Sequence, residues 1–338
     1  MRRRIRLAVD AVGGDLGPEP VVEGALRLAD RYEIVLVGPR DELSRAAGGR
    51  FAILDAPERV AMDDDPIAVT RAKRRSSLMV AAGAVAGGFA DGMVTTGNTG
   101  AAVLAAAVRM RRAPGVLNPA LATLLPAPGA SPTVLLDVGA ATACPASWLV
   151  QFAELGAAYA RLRLGVDRPR IGLLSNGEET VKGGPVQRSA DVLIAALPER
   201  VGRYVGHVEA YELFTGRVDV VVCEGLTGDI TLKTYERTLD ATAEVALAAI
   251  RTTLGDAAKP VTSAVSSAIR AQLAAEPGAV LLGVRGVCVV AHGAANAADV
   301  AGAIQVAASC VELDVAGQVP SWATGAPSSR ATAVAAET

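Results

Sequence analysis

The chain has 338 residues, 51% hydrophobic and 3% aromatic, with a formal net charge of -2. That length supports a large core in one large α/β unit or two smaller ones. The shortage of aromatic stacking platforms and the near-neutral charge exclude nucleic acid as a partner.

Residues 5–9 form a short apolar strand, and Asp10-Ala-Val-Gly-Gly-Asp15 is the glycine turn after it. The arginine-rich start resembles a signal peptide only until Asp10 interrupts the apolar run, and no segment has the length needed to span a bilayer. Pro18 and Pro20 open a helix to about residue 30, residues 33–37 are a second strand, and 41–47 a weaker helix. This alternation predicts a largely parallel sheet. Asp63-Asp-Asp-Pro66 reads as a helix start, with Asp65 as cap and Pro66 at the next position. A helix over 77–85 follows. The strand 91–96 then runs into Gly97-Asn98-Thr99-Gly100 and an alanine-rich helix to about 110, an arrangement that brings backbone amides to a helix N-terminus, where anions bind. It is neither a Walker A loop nor a dinucleotide fingerprint.

Strands are expected at 120–125 and 133–138, the second closed by Asp137-Val-Gly139, and Pro145 begins a long helix to about 164. Cys144 precedes that helix, either as a nucleophile whose thiol the dipole activates or as an inert small residue. The four cysteines form no Cys-x-x-Cys pair and the two histidines have no ligand spacing, which fits a reduced, cytoplasmic interior and argues against structural zinc.

The central stretch is residues 171–184, an apolar strand emptying into Ser-Asn-Gly-Glu-Glu-Thr-Val-Lys-Gly-Gly. In an open α/β sheet, ligands bind beyond the carboxyl ends of the strands, which puts Lys182 at the site. The glycines there and a helix over 185–196 make this an anion-binding turn; the competing reading pairs Lys182 with Glu178 or Glu179. Strands at 203–208 and 218–223 follow, the latter ending in a glycine turn, 224–229, before a helix. Helical spacing over 238–254 and 261–273 describes an arm that packs on a second subunit or an amphipathic membrane surface. The last strands are 278–284 and 287–290. His292 then stands as a ligand contact or a cap at the start of the final helix, and a disordered tail is expected from Gly317. Basic clusters at 2–4, 73–75 and 109–112 either steer an acidic partner or lie on solvated helix faces.

Taken together, the turns resemble the phosphate acyltransferase family of bacterial phospholipid synthesis (the PlsX family, acyl-carrier-protein:phosphate acyltransferase), over residues 7–304. The resemblance rests on Asp10-Ala-Val-Gly-Gly-Asp15, Met62-Asp-Asp-Asp-Pro66, Gly97-Asn-Thr-Gly-Ala101, Pro119-Ala-Leu-Ala-Thr123, Leu135-Leu-Asp-Val-Gly139 and Gly177-Glu-Glu179 with Lys182-Gly183. It continues through Asp219-Val-Val-Val-Cys223, Leu232-Lys-Thr234, Leu281-Leu-Gly283 and His292-Gly293. It implies a three-layer αβα fold like that of isocitrate and isopropylmalate dehydrogenases and phosphotransacetylase, as one large domain over 1–316 and a homodimer with a helical arm. It implies attack of inorganic phosphate on the thioester of acyl-[acyl-carrier-protein], giving acyl phosphate for glycerophospholipid synthesis, with no metal or other cofactor. A membrane glycerol-phosphate acyltransferase and peripheral membrane contact are among the partners it admits.

On this reading Lys182, Asp229, Asp137 and Asp10 are the candidate catalytic residues. Gly13, Gly14, Asp15, Gly97, Asn98, Thr99 and Gly100 are the candidate substrate-binding residues in the first part of the chain. Glu178, Glu179, Lys233 and His292 complete that set. The chain departs from the family pattern at Ala141, where asparagine is usual, and at His207-Val-Glu-Ala-Tyr-Glu212, where the family has Asn-Val-Glu-Gly-Arg-Asp. It also departs at Asp229, usually asparagine, and lacks the usual Gly-Gly-Ala-Pro before Leu281. Three classes follow: the standard acyltransferase, a diverged one with another acyl donor or acceptor, and a weakly catalytic homologue that binds the carrier protein.

Overall fold

The computed structural model describes residues 3–324. Its strands are β1 (Arg6–Asp10), β2 (Glu33–Gly38), β3 (Ala52–Asp55), β4 (Gly92–Thr95), β5 (Ala120–Leu125), β6 (Thr133–Leu136), β7 (Arg170–Leu174), β8 (Arg203–Val208), β9 (Val220–Val222), β10 (Ala279–Leu282) and β11 (Val287–Val290). Its helices are α1 (Glu19–Leu26), α2 (Arg40–Ala47), α3 (Pro66–Ala72), α4 (Ser77–Ala86), α5 (Thr99–Arg109), α6 (Ala146–Leu164), α7 (Pro185–Ala195), α8 (Gly225–Leu254), α9 (Ala258–Leu273), α10 (Ala297–Glu312) and α11 (Val315–Thr324). This is the α/β class expected. The chain divides into two compact units, Met1–Ala122 with Glu276–Thr338, and Thr123–Ala275.

In the first unit the strand order is β3-β2-β1-β4-β11-β10-β5. Every pair is parallel except those of β10, which runs antiparallel to β11 and β5. From β1 the chain builds β2 and β3 on one side and then β4 on the other. The switch point, where doubly wound sheets hold their ligands, therefore lies at the carboxyl ends of β1 and β4. Leu7, Leu36 and Met93 are fully buried, as parallel strands covered by helices require.

In the second unit the order is β6-β9-β7-β8, all parallel. β9 inserts between β6 and β7, so the loops that follow these three strands emerge side by side. α6 packs on β6 and β9, with Gly156 against Val220 and Leu136, and Leu149, Phe152, Leu155 and Tyr159 are among its fully buried side chains.

Local chemistry sets the helix starts. Asp65 Oδ1 accepts from the Ala68 amide at 2.7 Å, with Pro66 at the first helical position, as its sequence predicts. Three expectations need correction. The stretch 224–229 is not a turn, because α8 begins at Gly225. Residues 317–324, expected to be disordered, belong to α11, where Val315, Val319 and Ala323 recur every four residues and are buried; the remainder of the expected tail, 325–338, lies outside the described residues, as does Arg2. The short strand β3 has no counterpart in the sequence reading. Among the described residues no single helix is long and apolar enough to cross a membrane.

Candidate active site

The carboxyl edge of the first unit is built around Asp10, which is fully buried. Its Oδ1 accepts from the Val12 amide (3.2 Å) and its Oδ2 from the Thr95 hydroxyl (2.7 Å), while Thr95 Oγ1 accepts from the Gly97 amide (2.9 Å). One carboxyl thus ties the loop after β1 to the loop after β4. Burial pushes it above the ordinary carboxylate value, against the pull of Thr95, Ser77 and the Val12 and Gly13 amides. Only glycine fits at position 13, since a Cβ there would sit 2.4 Å from Asp10 Oδ2 and 2.9 Å from Gly97 Cα. Asp10, expected as a catalytic group, anchors these loops from beneath.

Asn98 is also more committed than its sequence suggests. Its Oδ1 caps α5 at the Ala101 amide (3.0 Å), and its Nδ2 donates to the carbonyls of Ala61, Met62 and Asp64 at 3.3, 3.0 and 3.1 Å. Thr99 and Gly100, in the first turn of α5, stay partly exposed. The exposed Asp15 donates its amide to the Gly293 carbonyl (2.9 Å), joining the loop after β1 to the one after β11, and Gly14 lies against Thr96 Oγ1, which is buried. His292 is exposed in that last loop and is not the cap of α10; Asn296 is, with Asp299 completing a capping box.

At the carboxyl edge of the second unit, Asp137 plays the part Asp10 plays in the first. It is fully buried, with Oδ1 accepting from the Gly139 and Ala140 amides (3.2 and 2.9 Å) and Oδ2 from the Ala141 amide (2.9 Å). This loop meets the first turn of α8 at contact distance. A Cβ on Gly228 would stand 1.8 Å from the Asp137 carbonyl oxygen and one on Gly225 2.3 Å from that of Ala141, so these glycines serve close approach rather than a turn.

Lys182 lies on the turn after β7, partly exposed, with its aliphatic stem over Gly177. Its ammonium forms no ion pair among the described residues, so the expected alternative of a bond to Glu178 or Glu179 does not hold. Glu178 accepts instead from the Tyr211 hydroxyl (3.2 Å), and Glu179 is exposed. The turn is closed by the Gly183 amide on Asn176 Oδ1 (3.0 Å) and by the Lys182 amide on the Glu179 carbonyl (2.9 Å). Gln187, in the first turn of α7, accepts from the Gly184 amide (3.1 Å) and donates to Glu224 (3.1 Å).

Asp229 sits one turn into α8, 3.7 Å from where a Cβ on Gly139 would be, and its Oδ2 is bonded to Lys233 Nζ at 2.7 Å. The acid and the base expected at this edge therefore neutralise each other across one helical turn. Cys144 is no activated thiol. Burial, and then the negative charges of Glu224 and Asp137, push it up to about 12, and burial likewise raises Cys223.

Sequence reasoning missed Thr95, Gln187, Glu224 and the side chains of His207 and Tyr211. For the last two the signal was present, since both fall in the run 207–212 that departs from the family pattern.

Amide-rich turns at the carboxyl ends of parallel strands, one of them carrying a lysine with no ion pair among the described residues, are suited to an enzyme that handles anionic groups. Residues 5–318 match a family described as fatty acid synthesis protein. A phosphate acyltransferase from Desulforudis audaxviator is 38% identical over 322 residues, covering 93% of this chain and 95% of the relative. Another, from Acidobacterium capsulatum, is 40% identical over 322 residues, covering 89% and 92%. The chain belongs to this family, and acyl transfer involving phosphate is its chemistry. Among solved structures, a phosphotransacetylase from Streptococcus pyogenes matches with a TM-score of 0.63 at 17% identity, covering 92% of this chain and 95% of that one. A 4-hydroxythreonine-4-phosphate dehydrogenase from Klebsiella pneumoniae matches with a TM-score of 0.53 at 15% identity, covering 91% and 100%. At such identities the likeness is one of fold.

Proposed function

We propose that the chain transfers the acyl group of an acyl-[acyl-carrier-protein] to inorganic phosphate. A phosphate oxygen attacks the thioester carbonyl, the carbon–sulfur bond breaks, and the products are an acyl phosphate and the free carrier thiol, with no change of oxidation state to balance. The acyl phosphate feeds glycerophospholipid synthesis through a membrane glycerol-phosphate acyltransferase.

The observation that carries this reading is the ammonium of Lys182, without an ion pair among the described residues, on a glycine turn at the carboxyl edge of β7. A fixed positive charge in such a place stabilises the oxyanion of the attacked thioester or the phosphate that attacks it. Amides of the Gly97–Gly100 turn, with Thr99, add a second anion-binding element in the first unit.

Phosphate-dependent release of carrier thiol tests it. Lys182→Ala is expected to lower turnover at least about tenfold without unfolding the protein, as removal of a transition-state donor does. A near wild-type rate at saturating phosphate would take Lys182 out of the mechanism. The same assay at rising ionic strength reads the docking of the acidic carrier. Lys73 and Arg75 already pair with Asp64 and Asp55 (2.8 and 3.4 Å), whereas the exposed Arg109 and Arg112 form no ion pair among the described residues and donate to backbone carbonyls, which favours the cluster at 109–112.

A second reading, a diverged acyltransferase with another donor or acceptor, is favoured by one observation. Three of the departing residues, His207, Tyr211 and Asp229, all make side-chain hydrogen bonds at this edge. Thiol release that does not depend on phosphate would support it; carrier binding without thiol release would mark a weakly catalytic homologue.

The arm formed by α8 and α9 exposes Val245, Leu254 and Val261. Apolar side chains in such number on one hairpin support a homodimer or peripheral contact of a cytoplasmic protein with a membrane. Light scattering at micromolar concentration is expected to give a dimer; a monomer that floats with liposomes would select the membrane.

A further inference from the structure

His207 projects from the end of β8 into the protein and is 5% exposed. Its Nδ1 lies 3.1 Å from the Glu179 carbonyl, the same oxygen that accepts the Lys182 amide at 2.9 Å. A carbonyl only accepts, so the ring proton is on Nδ1. Nε2 is then a bare acceptor, buried and without a partner among the described residues. An aliphatic or phenyl side chain would fill this space without stranding a polar atom, so packing alone does not account for an imidazole here.

What the imidazole supplies is a donor, from a neighbouring strand, to the oxygen that organises the Lys182 turn. A few residues on, Tyr211 supplies a second tie, to Glu178 (3.2 Å). Both side chains stand where the chain leaves the family pattern, and both hold the same segment of backbone. From one side the turn is thus fixed by β8 and the 3-10 turn Ala210–Phe214 that follows it.

We infer that His207 is a positioning residue for Lys182, acting through the Glu179 carbonyl on the backbone of the lysine turn; the inference rests on the role given to Lys182 above. It touches no reacting atom. Its loss would leave the lysine present and mobile, which lowers the rate of the chemical step more than it weakens substrate binding.

The test uses the full chain in three forms. His207→Leu removes the donor, His207→Phe removes it while keeping a ring, and His207→Asn keeps a donor close to the Nδ1 position. Amide hydrogen exchange over residues 177–184 is expected to quicken by about tenfold or more in the Leu and Phe variants and to stay near wild type in the Asn variant. In the thiol-release assay the Leu variant is expected to lose about tenfold in kcat with little change in KM for phosphate, and to lose nothing further in a Lys182→Ala background. If His207→Leu does not fold, as read by its thermal melt, His207→Phe carries the same readouts. Unchanged exchange over 177–184 would overturn the inference, as would a rate loss in the Lys182→Ala background equal to that in wild type. Should Lys182→Ala itself prove fully active, the proposed role of Lys182 falls, while the exchange measurement still decides whether His207 holds the turn.

Discussion

Asp229→Asn is the substitution on which the electrostatics of the second unit's edge make the sharpest demand. A lone carboxylate about 5 Å from a bound phosphate repels it by roughly 3 kcal/mol per unit of phosphate charge at an effective dielectric near 20. Asp229 is not alone, because Lys233 Nζ lies 2.7 Å from its Oδ2. With that ammonium on the far side, about 8 Å from the phosphate, its attraction returns roughly 2 kcal/mol and leaves a net repulsion of about 1. Both side chains are partly exposed, which trims the figure further. The expected result is a three- to tenfold fall, order of magnitude, in the phosphate concentration giving half-maximal thiol release, with kcat little changed. Lys233→Ala should act in the opposite direction, since it uncovers the carboxylate, and should lose most of its effect once residue 229 is asparagine. Loss of activity in Asp229→Asn would refute this account and make Asp229 a working residue of a diverged enzyme.

Two further outcomes follow from the buried ionisable groups. Arg170 grips Asp219 through Nε and Nη2 (2.9 and 2.8 Å) and through its own amide (2.7 Å). Burial alone would raise the Asp219 carboxyl, but these bonds outweigh it and hold the group below its ordinary value of 3.8. Its stabilising contribution is therefore present above that value and is lost as pH falls through the lower folded one. Asp219→Ala should cost about 2–3 kcal/mol in urea unfolding at pH 7 and clearly less near pH 3, the figure being kept below that of a fully buried pair because Arg170 is partly exposed. An equal cost at both pH values would contradict the pairing. Because the Cys144 thiol is pushed up to about 12, Cys144→Ala should keep turnover within about twofold and iodoacetamide at pH 8 should leave the native enzyme active. Rapid inactivation by the reagent, absent in the Ala variant, would restore Cys144 as a nucleophile.

Much of the fold is legible in the residue pattern, for identifiable reasons. Residues 120–125 and 287–290 are apolar runs bounded by turn residues, and they are strands over those same bounds, as is the more polar stretch 203–208. The failures have physical causes too. β3 is a four-residue edge strand with exposed ends, too short for any period to register. Gly225 and Gly228 read as turn glycines because local sequence does not say that a helix must press against the Asp137 loop. Gly317 and Pro320 likewise masked α11, whose buried valines four apart carried the truer signal.

The candidate site shows the same limit. The glycine turns after β1, β4 and β7 stand where the residue pattern puts them, because glycine and small polar residues after an apolar strand mark its carboxyl end. The bonds by which Asp10 and Asp137 hold their loops were not legible, since which amides and hydroxyls reach each carboxylate depends on strand order. The Asp229–Lys233 pair was open to prediction, being four residues apart on a helix, once the helix start was placed correctly.

The early start of α8 has a mechanical side. The helix runs unbroken for 30 residues from Gly225 to Leu254, about 45 Å at 1.5 Å per residue. Its first turn, wedged by Gly228 against the Asp137 carbonyl, is the fulcrum, and the exposed arm is the long end of the same rod. Pushing that far end sideways by about 5 Å turns the helix about Gly228 through only about 7°, and moves the backbone at Asp229, the next residue, by about 0.2 Å. Whatever grips the arm therefore holds, by simple leverage, a fine adjustment over the charge beside the Gly139 loop.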